Sequence, residues 1–151
     1  MTRTLPLTLL CLALLPGCGA SAPPSTDAGL ADAGPPTWAS VEAVLSRSCA
    51  FTSCHGALRA YPRLSQEFAY ASLTTGMSMQ IPSLRLVAPG NPAQSWLMHK
   101  LDGTLSSQAV CAASNSPCGV SMPQGSELLP AHERAMIRAW IEMGAPGPRD
   151  R

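Results

Sequence analysis

Residues 49–56 read Cys49-Ala50-Phe51-Thr52-Ser53-Cys54-His55-Gly56, and how this stretch is understood decides the reading of the whole chain. It closes a helical pattern. Thr37 can cap a helix in which Trp38, Val41, Val44 and Leu45 recur at three- and four-residue spacing, so one apolar face runs straight into Cys49. With 3 His in 151 residues, a histidine directly after one of four core cysteines arises by chance only about 8% of the time. The Cys54-His55 pair therefore carries information. Taken alone it leaves open a disulfide between Cys49 and Cys54 with His55 an ordinary loop residue. A redox-active dithiol is disfavoured, because such pairs stand two residues apart and four residues separate these.

Outward from this stretch the chain reads as short helices and long loops. Within 61–75, Ser65 is a possible N-cap for a short helix carrying Phe68, Ala69 and Leu73. Asn91-Pro92 sets a capping side chain before an N1 proline. Trp96, Leu97 and Leu101 then form an apolar stripe, and Gly103 follows at the C-terminal stop. Pro130 at N1 and Glu133 in the first turn open a last helix with Met136, Ile137, Trp140 and Ile141 on one face, ended by Gly144 and Pro146. No alternating run is long enough to build a sheet, and 84–87 is at most a short extended piece. The expectation is one mainly α domain over residues 37–148, a bundle of three to four short helices, followed by a tail at 149–151. Two Phe, two Tyr and three Trp make a thin core. Loops at 76–90 and 103–125 are longer than compact helical domains tolerate without a function or a staple. Disulfides, a metal or a prosthetic group are what could fill such a middle.

The N-terminal quarter is of a different kind. Arg3, an apolar stretch at 5–15 and Gly17 before Cys18 read as a secretory signal peptide over 1–17. Eleven helical residues reach roughly 16 Å, short of the roughly 30 Å needed to span a bilayer core. Leu15-Pro16-Gly17-Cys18 resembles a bacterial lipobox, which implies that Cys18 carries lipid and anchors the mature chain to a membrane. Gly19 after that cysteine is similar to the outer-membrane sorting pattern, implying an exported protein facing the periplasm or cell surface. Residues 18–36 comprise the anchor and a Pro-, Ala- and Gly-rich linker with almost no bulky side chain, too little apolar surface to offset the entropy of ordering.

Ten Lys+Arg against nine Asp+Glu give a formal net charge of +1, which offers no electrostatic footprint for nucleic acid. No nucleophile elbow, phosphate loop or pair of carboxylates in an apolar setting is present, so catalysis has no sequence support. Cys11 leaves with the signal. Cys111 and Cys118 flank a turn-like Asn115-Ser116-Pro117 and read as a disulfide, whose closure contributes on the order of 2.5 kcal/mol in the chain-entropy picture. A zinc site using all four core cysteines is disfavoured by the six-residue spacing of this second pair.

A Cys-His dipeptide with a second cysteine upstream resembles the haem-attachment motif of c-type cytochromes, here with four residues between the cysteines instead of the usual two. The order of the remaining segments is similar to that of a class I cytochrome c-like domain of bacterial lipoproteins. A helix leads into the motif. A Val-Ala-Pro-Gly-Asn-Pro block at 87–92 precedes Ser95-Trp96-Leu97, then Met122-Pro123 comes in a Gly-rich loop, and a final helix ends Trp140-Ile141-Glu142-Met143-Gly144-Ala145. The resemblance covers residues 37–146. It implies covalent haem c bound through Cys49 and Cys54, with His55 as the proximal and Met122 as the distal iron ligand. It further implies a single-electron carrier serving a redox partner that the sequence does not identify. Met/His ligation raises the haem potential relative to other axial pairs. Met77 and Met79 are rivals for the distal position, Met98 and Met143 are further methionines, and Met136 lies on the apolar face of the last helix. His99 and His132 are expected to be solvated surface residues.

Overall fold

The computed structural model describes residues 35–57, 60–112 and 118–148. The expectations for the signal at 1–17, for the anchor Cys18 and the linker to residue 34, for the turn at 115–117 and for the tail at 149–151 lie outside the described residues. Helix α1, Trp38–Ser48, begins where the Thr37 hydroxyl accepts the Ser40 N–H at 3.3 Å. Its apolar stripe of Trp38, Val41, Val44 and Leu45 is buried. Helix α4, Ala131–Glu142, buries the matching stripe of Met136, Ile137, Trp140 and Ile141. The two stripes pack together, so the start and the end of the domain share one core. Trp38 and Trp140 meet with ring centroids 5.6 Å apart, and Tyr70 stands edge-on to Trp38 at 5.1 Å. Arg47 of α1 and Glu133 of α4 close the same interface with an ion pair. Beyond α4, the Trp140 indole N–H donates to the Pro146 carbonyl at 3.0 Å and the Tyr70 hydroxyl to the Ala145 carbonyl at 3.1 Å.

The two middle helices differ in detail from what the sequence suggests. Helix α2, Ala69–Thr75, starts later than a Ser65 cap would place it. The Ser65 carbonyl accepts the N–H groups of both Phe68 and Ala69 at 2.9 Å, so a single turn precedes the helix, and no side chain caps it. The element expected from 91 to 103 is broken in two. Asn91 caps a 3-10 turn, Pro92–Gln94, and helix α3 follows only at Trp96–Asp102, ending at Gly103. The break is at Ser95, fully buried in extended backbone. Its hydroxyl donates to the Asn91 carbonyl and accepts the Ala88 N–H, both at 2.9 Å, while Trp96 and Leu97 donate their N–H groups to Arg85 and Leu86. A serine satisfied by local and neighbouring backbone offers the chain an alternative to helix, and here that alternative wins. Pro130 stands one position earlier than expected, at the N-cap rather than N1.

The fold is thus mainly α: the described residues form four short α-helices, three 3-10 turns and long loops, with no strand among them. The extended piece near 84–87 amounts to isolated bridges from Arg85 to Met77 and to Ser95. Among the described residues no helix is long and apolar enough to cross a membrane. All three tryptophans are buried, which concentrates the few aromatic rings where they stabilise most.

Candidate functional site

Past the end of α1 the chain winds tightly from Cys49 to Gly56. Cys54 and Gly56 both donate N–H bonds to the Phe51 carbonyl, and His55 donates one to Cys49. Gly56 is required by this winding, because a Cβ there would lie 2.1 Å from the Ala50 carbonyl oxygen, far inside any real contact. The turn presents His55 to residues 62–64, which hold it twice. Leu64 N–H donates to the His55 carbonyl at 2.8 Å, and the ring Nδ1 lies 2.9 Å from the Pro62 carbonyl oxygen. A carbonyl can only accept, so Nδ1 carries the hydrogen and the neutral ring keeps its lone pair on Nε2. A carbonyl on one ring nitrogen fixes the tautomer and leaves the other nitrogen available as a donor atom.

His55 borders a cleft floored by Leu45 of α1, Leu73 of α2 and Trp96, Leu97 and Leu101 of α3, with Leu64, Leu86 and Pro62 along its sides. The empty space, mouth included, is about 590 Å³. Cys49, His55, Tyr61, Gln80 and Met122 line both this cleft and its outer opening, and Cys54 and the exposed Phe51 line the opening. Of the four residues singled out by sequence, Cys49, His55 and Met122 therefore border the cleft itself, and Cys54 borders only its opening. Met77 and Met79 are exposed and line neither the cleft nor its opening; Met98 and Met136 are buried in the core.

The thiols of Cys49 and Cys54 are free, the first buried and the second exposed. Burial, with a smaller contribution from the charge of Cys54, pushes the Cys49 thiol up to about 11. At pH 8 Cys49 then holds about a hundredfold less thiolate than an ordinary thiol. In the folded chain without cofactor, iodoacetamide is expected to alkylate Cys54 first and Cys49 at least about a hundredfold more slowly than an exposed thiol. Peptide mapping over time reads the order. Equal rates at the two sites would contradict the burial of Cys49.

Cys111 and Cys118 are joined by a disulfide, with Cα atoms 5.5 Å apart and Cys118 buried. His99 departs from the expected solvated surface residue. It is half-buried, with Nδ1 3.1 Å from the Thr104 hydroxyl, Nε2 3.1 Å from the Ala93 carbonyl and its ring against Trp96 at 5.9 Å, so it ties the ends of α3 together. His132 is only partly exposed and lies 3.9 Å from Glu133.

Three cleft residues escaped the sequence reading. Gln80 accepts the Trp96 indole N–H at 3.1 Å, and Tyr61 donates its hydroxyl to the Met77 carbonyl at 2.5 Å. Lys100 is the third, buried beneath the 118–122 segment, and burial lowers its pKa below the ordinary lysine value. Only its place four residues after Trp96, on the apolar face of α3, hinted at this.

Among the described residues no cluster of three His, Cys, Asp or Glu side chains could hold a metal ion on its own. The donor set at the cleft is of another sort: one imidazole with a fixed tautomer, one thioether and two free thiols around an apolar space. His55 and Met122 are the cleft residues that could bind a metal carried by a prosthetic group, and the two thiols are those that could attach one. Scans against protein-family models, curated proteins and solved structures return no match.

Proposed function

We propose that this protein is an electron carrier of the c-type cytochrome kind, exported and lipid-anchored through Cys18 to an outer membrane, and holding one haem covalently. The observation that carries the reading is the convergence of Cys49, His55 and Met122 on one apolar cleft with Cys54 at its opening, His55 being held so that Nε2 is its free donor atom. Haem would supply reversible one-electron exchange at its iron. The chain's own contributions follow from its residues. Cys49 and Cys54, neither in a disulfide, would attach the group; His55, its imidazole held by the Pro62 carbonyl, and Met122 would bind its iron. The leucines of α1, α2 and α3 exclude water, and Phe51 and Tyr61 extend the apolar lining to the opening. Electrons would pass to and from a partner protein, with no role for nucleic acid.

The test is expression of the full chain in a host with haem-attachment machinery. A Soret band and an intact mass raised by one haem are expected. A chain with neither would overturn the reading in favour of a haemless, disulfide-stapled lipoprotein domain acting as a binding module. In the loaded protein, Met122→Ala is expected to abolish the weak charge-transfer band at the red end of the ferric spectrum; an unchanged band would return the ligand to Met77 or Met79.

A further inference from the structure

Among the described residues, Lys100 is the one Lys, Arg, Asp or Glu side chain lining the cleft, and it makes no ion pair there. Its ammonium donates instead to two backbone carbonyls, those of Cys118 and of Val120, the latter at 3.0 Å. These carbonyls flank Gly119, whose φ of +64° lets the chain turn so that both face one donor, and a Cβ at Gly119 would come within 3.6 Å of that ammonium. Two residues further on, the Met122 N–H returns to the Lys100 carbonyl at 2.9 Å. One residue of α3 thus grips the segment 118–122 from both its ends. The disulfide to Cys111 fixes the same segment at Cys118. A buried lysine without a carboxylate is costly unless its hydrogen bonds are well made, so the arrangement is retained only where the carbonyls are held in place in return.

We infer that Lys100 is a positioning residue for Met122: its ammonium, by holding the carbonyls of Cys118 and Val120, sets the loop that brings the Met122 thioether to the cleft. This rests on the proposed role of Met122, and the two can be separated by experiment. Three full-length variants are compared with the parent chain: Lys100→Met, which keeps the length and loses the donors; Lys100→Arg, which keeps the charge and donors; and Asp102→Asn, which weakens the ion pairs of Asp102 with Arg134 and Arg138 on α4 without touching the loop. In haem-loaded protein, Lys100→Met is expected to lose the red charge-transfer band while keeping the Soret band and the far-ultraviolet helix signal. Lys100→Arg should restore most of it, and Asp102→Asn should leave it unchanged.

Retention of the band in Lys100→Met would overturn the inference. So would loss of the band in Asp102→Asn, since general destabilisation would then suffice. Hydrogen exchange on the chain without haem decides the matter even if no haem is ever attached. The Met122 amide is expected to exchange about tenfold faster or more in Lys100→Met than in the parent, with the amides of α1 and α4 unchanged. Equal protection of Met122 in the two chains would overturn the positioning role, while a missing Soret band in the parent would overturn only the haem reading.

Discussion

Trp140→Ala is expected to remove about 3–5 kcal/mol of stability, a large share of the roughly 5–15 kcal/mol that a domain of this kind possesses. The indole is fully buried between α1 and α4, packs on Trp38 at 5.6 Å and spends its N–H on the Pro146 carbonyl. Alanine leaves a cavity that the surrounding residues fill only in part. It also removes the hydrogen bond to the Pro146 carbonyl, a smaller loss because Pro146 is exposed. Urea unfolding followed by far-ultraviolet circular dichroism reads the loss as an earlier midpoint. Met143→Ala, at an exposed position just past the same helix, should stay within about 0.5 kcal/mol of the parent and serves as the reference. A Trp140 loss below about 1 kcal/mol would mean that the contact between first and last helices does not carry the core.

The second large effect is spectroscopic. In haem-loaded protein, His55→Ala is expected to convert the low-spin ferric spectrum to one lacking a strong proximal nitrogen, and to lower the yield of attached haem several-fold or more. His55 also anchors residues 62–64 through its ring and its carbonyl, so a loss of yield alone could reflect a loosened loop. Added imidazole separates the two roles, because it can return a nitrogen donor to iron and cannot remake the bond to the Pro62 carbonyl. Rescue of the low-spin spectrum assigns His55 to the metal. A variant whose spectrum and yield match the parent without imidazole would reduce His55 to a loop anchor.

The outer helices were legible because their information is local. Trp38, Val41, Val44 and Leu45 repeat at helical spacing behind a threonine cap, and Met136, Ile137, Trp140 and Ile141 do the same before Gly144, so period and punctuation agree. The grouping of Cys49, Cys54 and His55 was legible for the same reason, being contiguous in the chain. What sequence could not give depends on partners far along the chain. Ser95 breaks its helix because Arg85 and Leu86 offer carbonyls to Trp96 and Leu97, a competition that periodicity within 91–103 does not contain. The burial of Lys100 was not legible, since the carbonyls that receive it belong to residues 118 and 120. That Met122 lines the same cleft as His55 was expected only from the order of segments in the resemblance, since no local pattern encodes the path of the intervening loops.

The joining of the first and last helices also settles where the folded part is entered and left. Pro36, Thr37 and Trp38 line a shallow groove together with Met143, Pro146, Gly147 and Pro148, so both ends of the domain open from one place. None of the residues lining the cleft or its opening belongs to that groove. A cargo, label or surface fused to either end would therefore start from the same doorstep, and neither attachment would begin on a residue that the cleft uses.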